Sequence, residues 1–264
     1  MRSPHWVRRA VYALVDWHTD WLLAGALNEY RAELRLGAPV RQVFRGYAPS
    51  PKRVVALFPE WFGPKQRDWP PQSATTRFPL DEQAPAPPLP GAIEEFVSEA
   101  ESPILFTAGS ANLQAGSFLS TAVEICLRLG RRAVLIVPHE NLAPPHLPKN
   151  VRAFGPTPFR ALFPRCAAVV HHGGIGTVAE AFLAGVPQMI VAMSHDQPDN
   201  GARVQRAGVG EYLYPSQFDG VEGSTRLRRL LASPEVADKC RDYRRRMLNP
   251  MPPERVLEML EDVR

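Results

Sequence analysis

The stretch VVHHGGIGTVAEAFLAGVPQMIV, residues 169–191, sets two histidines, a glycine turn and a threonine between two apolar runs. A short apolar run, a glycine turn, a helix-like stretch and a second apolar run is how a chain builds a pocket for phosphate. Free amides and the positive dipole end at a helix N-terminus attract an anion, and glycines let the backbone approach it closely. In such a turn His172 adds an imidazole donor and Thr177 a hydroxyl, both aimed at a diphosphate. Glu180, one helical turn further, is spaced to accept hydrogen bonds from the vicinal hydroxyls of a ribose.

Other readings of the same residues must be weighed. A Walker loop needs GxxxxGK[ST], and the sequence contains no such match. Gly174, Gly176 and Ala179 satisfy GxGxxA, with Asp196 about twenty residues on where a ribose-binding acid of a dinucleotide site belongs. That fingerprint usually opens the first βαβ unit, whereas several strands are expected before this one. Thr177 and Glu180 also spell T-x-x-E, a capping box that needs no ligand. Capping explains neither His171 and His172 nor the second polar loop, SHDQPDN (residues 194–200).

The elements that must position these residues are legible in the pattern around them. PILFTAGS, RRAVLIV, NVRAF, AAVVHH, PQMIVA and VGEYL read as strands. Helices are expected over 91–100, 117–129, 158–164, 176–184, 199–207 and 224–247, with PPERVLEMLEDV closing the chain as an amphipathic helix. Alternating strands and helices joined by short loops give an α/β fold with a doubly wound parallel sheet. Ligands bind outside the carboxyl ends of such strands. The residues just after them are Gly109 and Ser110, His139, Phe154 to Thr157, His171 to Thr177, and Ser194 to Asn200.

Composition bounds the function. At 264 residues, 45% hydrophobic and 22% charged, the chain is an ordinary globular protein with ample core. Its net charge of +4 comes without a Lys/Arg block interleaved with aromatics, which argues against nucleic acid as a partner. Cys126, Cys166 and Cys240 stand singly and are expected to be small buried thiols in a reducing compartment. Residues 5–36 read as one or two amphipathic helices. Arg8, Arg9, Asp16, His18 and Asp20 interrupt their apolar patch, which argues against a spanning helix and a signal peptide. A cytoplasmic location is expected, with docking at a membrane surface permitted. Trp6, Trp17 and Trp21 form a stripe that either packs on the chain's own core or is left exposed where a partner domain is absent. Proline is the outlier, at 28 residues, many of them between 49 and 90, which reads as a partly extended connector.

Residues 151–210 resemble the nucleotide-sugar signature of the UDP-glycosyltransferases, GT-B fold enzymes that include antibiotic and sterol glycosyltransferases. The matching text runs unbroken from FGPTPFRALF through HHGGIGTVAEAFLAGVPQ to SHDQPDNGARVQRAGVG. PILFTAGS is similar to that family's first donor-domain strand and phosphate loop, and the LFPEWFG…DWP connector to its linker. The resemblance implies a Rossmann-like donor domain. It places His172 and the turn of Gly173, Gly174 and Gly176 at the diphosphate, with Thr177 beside it, and Gly109 and Ser110 approach from the first loop. Phe154 would stack on the base, with Thr157 where the family often has Gln. Glu180 would hold the ribose, and Asp196 and Gln197 the hydroxyls of the donor sugar, with Asn200 next along the chain. No D-x-D carboxylate pair is present, and neither cofactor nor metal is expected; the nucleotide sugar is a substrate.

The same resemblance implies an acceptor-binding half that these residues do not provide. ALNEYRAELRLGAP is similar to the end of the family's acceptor domain, and no histidine stands at its base position. The expected organisation is a helical remnant of that domain over 1–50, a proline-rich linker over 51–101, a donor domain over 102–250 and a closing helix over 251–264. The expected function is hexosyl transfer from a UDP- or TDP-sugar to a hydroxyl acceptor, a lipid or small hydrophobic alcohol, with the acceptor half missing or on another chain. The alternatives are a nucleotide-sugar-binding remnant without turnover and a nicotinamide-dependent enzyme using the GxGxxA turn.

Overall fold

A computed structural model of the chain describes residues 4–80, 85–109, 115–139 and 142–261, which fall into two compact units. The larger unit comprises residues 61–63 and 78–250. Six apolar runs form its strands: β3 (Ile104–Thr107), β4 (Ala133–Ile136), β5 (Val151–Phe154), β6 (Ala168–His171), β7 (Gln188–Val191) and β8 (Gly210–Leu213). They make one sheet in the order β5-β4-β3-β6-β7-β8, with every neighbouring pair parallel. Winding starts at β3, moves outward through β4 and β5, then crosses to β6 and runs outward through β7 and β8. This is the doubly wound order of dinucleotide-type folds, so the loops after β3 and β6 leave the sheet in opposite directions and open a crevice between them.

Burial on both faces explains why the strands read as continuous apolar runs. Ile104, Phe106, Val170 and Met189 face α3 (Ala115–Leu129) and α7 (Gly220–Ala232) through Phe118, Ala122, Ile125, Leu227 and Leu230. Leu105, Val134 and Val169 face the other way, toward α2 (Gly91–Ser98), α4 (Phe159–Leu162) and α5 (Ile175–Ala184). Between β7 and β8 the chain forms α6 (Gln197–Ala207). Ile93 and Phe96 of α2 are buried in the second layer, so the compact unit takes in residues well before position 102. Trp61 packs its ring 5.2 Å from Phe182 of α5 and 4.9 Å from Tyr243. The expected helix over 224–247 divides instead into α7 and α8 (Pro234–Met247). Pro234 has no N–H to continue α7, and Ser233 caps the new helix by accepting the Val236 amide at 3.3 Å. The three cysteines are free and buried, and burial pushes each thiol up to about 12.

The smaller unit comprises residues 1–60, 64–77 and 251–264. Its N-terminal pattern forms a single helix, α1 (His5–Glu33). Asn28 exchanges two hydrogen bonds with the Val40 backbone, and Asp20 accepts the Val43 amide at 2.8 Å. These bonds fold the segment after α1 back along it. Within the proline-rich stretch, the proline-free residues Ser73–Thr75 form β2, which pairs in parallel with β1 (Val54–Ala56). The last helix is α9 (Pro253–Glu261). Trp6, Trp17 and Trp21 are 73%, 64% and 70% exposed. No helix among the described residues is long and apolar enough to cross a membrane.

Candidate functional site

A cleft of about 910 Å³ opens at the carboxyl ends of the sheet strands. Its walls come from the loops at those ends: Thr107 to Gly109 at β3, Ile136 to Pro138 at β4, Thr157 beyond β5, His172 and Gly174 to Thr177 beyond β6, and Ser194, His195 and Gln197 beyond β7. The crossing point between β3 and β6 lies at its centre, where Thr107 and His171 are in register. Among the described residues that line the cleft there is no carboxylate, and the titratable ones are His172 and His195. The walls therefore suit an anion.

The glycine turn is built by two kinds of constraint. Gly173 has φ +92°, and a Cβ there would come within 2.7 Å of Ile190 Cγ2, so both backbone and space demand glycine. Gly109, at φ +84°, faces the His172 ring closely enough that a Cβ would sit 2.6 Å from its Cε1. A Cβ on Gly174 would lie 2.5 Å from the same ring's Nε2. The imidazole of His172 is thus enclosed between two glycines of different loops. Its Nδ1 is buried and has no hydrogen-bond partner among the described residues. Burial pulls its pKa below the ordinary value, against a smaller opposing effect of Asp196, which leaves the ring neutral near pH 7.

Helix α5 starts at Ile175, with Gly174 as its N-cap and no side chain capping it. The first intrahelical bond runs from the Val178 amide to the Gly174 carbonyl. The amides of Ile175, Gly176 and Thr177 precede it and have no intrahelical partner. Thr177 is the third helical residue rather than the cap, so the capping box that T-x-x-E allowed is not formed here. The GxGxxA turn comes after β6, the fourth strand in winding order, and not in the first βαβ unit.

The other expected residues divide into groups. Gly109, Thr157, His172, Gly174, Gly176, Thr177 and Gln197 line the cleft together. Gly173 and Asn200 are buried behind it, where Asn200 Nδ2 donates to the Gly173 carbonyl at 2.9 Å and to Asp196 Oδ2 at 2.8 Å. Gln197 Oε1 accepts the Met193 and Ser194 amides at 2.8 and 3.0 Å, which fixes the loop that carries it. Glu180 lies outside the cleft lining, its Oε2 accepting from Arg160 Nε at 3.2 Å. The Phe154 ring packs 6.0 Å from Phe96 and does not line the cleft. Ser110 lies outside the described residues.

Three aromatic lining residues were not singled out from sequence. Phe159 lines the cleft with its ring stacked 4.6 Å from Phe163. Phe118 and Phe218 form a wall of two stacked rings 5.1 Å apart. His195 adopts φ +55° and pairs its Nδ1 with Ser194 Oγ at 2.7 Å. Its signal was its place in SHDQPDN, directly after a strand. His139 and His146 do not line the cleft.

Comparison with known proteins identifies the family and the fold. Residues 130–263 match the family described as erythromycin biosynthesis protein CIII-like, C-terminal domain. The chain is 37% identical over 141 residues to an aclacinomycin-T 2-deoxy-L-fucose transferase of Streptomyces galilaeus, covering 53% of this chain and 32% of that protein. It is 33% identical over 206 residues to an O-mycaminosyltylonolide 6-deoxyallosyltransferase of Streptomyces fradiae, covering 76% of this chain and 46% of that protein. The matched part is therefore less than half the length of these relatives. A solved structure of the spinosyn rhamnosyltransferase SpnG complexed with thymidine diphosphate shares the fold, with TM-score 0.64 and 21% identity over 81% of this chain and 57% of that one.

Proposed function

Because this chain belongs to the erythromycin biosynthesis protein CIII-like C-terminal domain family, we propose that it is the donor-binding half of a glycosyltransferase that takes a hexose from a TDP- or UDP-sugar. One observation carries the reading. The first-turn amides of α5, which have no intrahelical partner, and the imidazole of His172, whose Nδ1 has no partner among the described residues, meet at a cleft on the crossing point of the sheet that no described carboxylate lines. These donors would hold the diphosphate and stabilise the charge that grows on it as the glycosidic bond breaks, an electrostatic contribution of about 3–4 kcal/mol by analogy with oxyanion holes. The loop carrying Asp196 and Gln197 would meet the sugar. Relatives whose names describe the transfer of deoxysugars, and a neighbour holding thymidine diphosphate, favour TDP among the donors.

The acceptor site is proposed to come from outside these 264 residues, on another chain or another part of a longer one. The exposed Trp stripe of α1 supports this as a contact face. A hydrophobic alcohol or lipid acceptor, and a cytoplasmic site of action, complete the proposal.

Thermal denaturation with TDP, UDP, GDP and NAD(H) tests it. A ligand at a hundred times its Kd stabilises by about 2.7 kcal/mol. TDP or UDP is expected to raise the melting temperature, and a rise with NAD(H) but with neither pyrimidine nucleotide overturns the reading.

Glu180 is proposed to accept a ribose hydroxyl through Oε1, the oxygen other than the one that meets Arg160 Nε. Glu180→Gln retains an oxygen for Arg160, so a half-buried ion pair is weakened by about 1 kcal/mol at most. UDP affinity measured by calorimetry is expected to fall about tenfold, the size of one charge-assisted hydrogen bond. Unchanged affinity would remove Glu180 from the site.

A further inference from the structure

Behind the cleft, His171 is fully buried at the end of β6, and the function proposed above leaves it without a role. Two contacts define it. The Gly173 amide lies 3.2 Å from its Nδ1, and its Nε2 lies 3.1 Å from Gln188 Oε1 in β7. An amide N–H can only donate, so Nδ1 must be the unprotonated acceptor. The ring proton then sits on Nε2 and is donated to Gln188 Oε1, which fixes the tautomer. On its other side, Gly173 has its carbonyl held by Asn200 Nδ2 at 2.9 Å. Both polar atoms of a residue at φ +92° are therefore tied down from β6 and α6.

We infer that His171 is a positioning residue for the diphosphate turn, acting with Asn200 as a clamp on Gly173 that presents His172 and the first amides of α5 to the ligand. The inference rests on the nucleotide reading of the cleft and adds to it what holds the turn in shape. The clamp turns the Gly173 amide inward, so the donors left for an anion are those of Ile175, Gly176 and Thr177 together with the His172 ring. Without an acceptor at Nδ1, the Gly173 N–H would be a buried unsatisfied donor, and the peptide would rotate to find a partner. That rotation would carry His172 out from between Gly109 and Gly174. Burial also keeps His171 neutral, pulling its pKa down to about 3, so the ring serves as an acceptor throughout the working pH range.

The two amide substitutions separate this role from space filling. Asparagine places its oxygen near the Nδ1 position and can still accept from Gly173, while glutamine reaches the Nε2 position and serves Gln188 instead. His171→Asn is expected to bind TDP within about threefold of the wild type, whereas His171→Gln binds about tenfold more weakly, the scale of one unsatisfied buried donor. A core-filling histidine would give the reverse order, because glutamine is closer to it in volume. Calorimetry with TDP alone reads the affinity, and the melting temperature reads stability separately. Equal affinities of the two variants, or a stronger His171→Gln, would overturn the inference. Should His171→Asn fail to fold, Asn200→Leu breaks the carbonyl side of the clamp without changing bulk, and TDP affinity unchanged in that variant overturns it too. A wild-type chain that binds neither TDP nor UDP would instead overturn the functional reading, and the inference with it.

Discussion

His172→Ala is expected to weaken TDP binding by about ten- to hundredfold, as loss of a hydrogen bond to a charged group does, while the melting temperature stays level or rises. The two halves of this result have one cause. The ring is held between Gly109 and Gly174, two positions where a Cβ would approach it to 2.6 and 2.5 Å. Its Nδ1 is buried without a partner among the described residues. A buried unsatisfied nitrogen costs about 1–3 kcal/mol, so truncating the ring removes a destabilising group together with some packing. Among the described residues that nitrogen has no partner, and a ligand entering the cleft would supply one. Titration of the ring supplies a second signature. Burial depresses the His172 pKa in the free protein, and a bound diphosphate favours the charged ring. Wild-type affinity should therefore rise as pH falls from neutrality, and His172→Ala should lose that rise. A variant that melts lower yet binds TDP as tightly, with the same pH profile, would make His172 a packing residue.

The sheet and the anion turn were legible because they rest on short-range patterns. Six apolar runs bounded by polar turns became the six strands, and in a parallel sheet both faces are buried, so such runs need no alternation to be recognised. The glycines and histidines of residues 171–177 declared themselves by type and spacing. What stayed hidden depends on distant packing. Phe154 and Phe159 are both aromatic and lie in neighbouring turns of chain, and only the position of α2 decides that the first turns to Phe96 while the second lines the cleft. The T-x-x-E pattern fits a capping box in any sequence, but α5 begins ahead of Thr177, at Ile175, because Gly174 accepts the Val178 amide. The role of His171 was invisible for the same reason. Its partners, Gln188 and Gly173, come from the next strand and the next loop, and the second histidine of a pair reads no differently from the first.

Acid lability centred on His171 is the other large effect. A neutral histidine with a pKa of about 3 in the folded chain and an ordinary value of 6.5 when unfolded binds fewer protons in the native state between these limits. Its contribution to stability is therefore complete above pH 6.5 and is lost as pH falls toward 3. Each pH unit in that window costs about 1.4 kcal/mol, or about 2 kcal/mol at pH 5 relative to neutrality. His172 adds a smaller loss of the same sign, since burial lowers its pKa as well. Carboxylates contribute to acid unfolding too, but they are shared by a variant that lacks only the buried ring. Urea denaturation of the wild type and of His171→Asn at about pH 7.5 and pH 5 isolates the difference. The wild type is expected to lose about 2 kcal/mol more than the variant between the two pH values. Equal losses would mean that His171 meets solvent or takes up a proton in the folded state. It could not then be the fixed acceptor that Gly173 requires, because a protonated ring has no lone pair to offer the amide. The stability of the fold in acid and the shape of the anion turn thus depend on the same uncharged nitrogen.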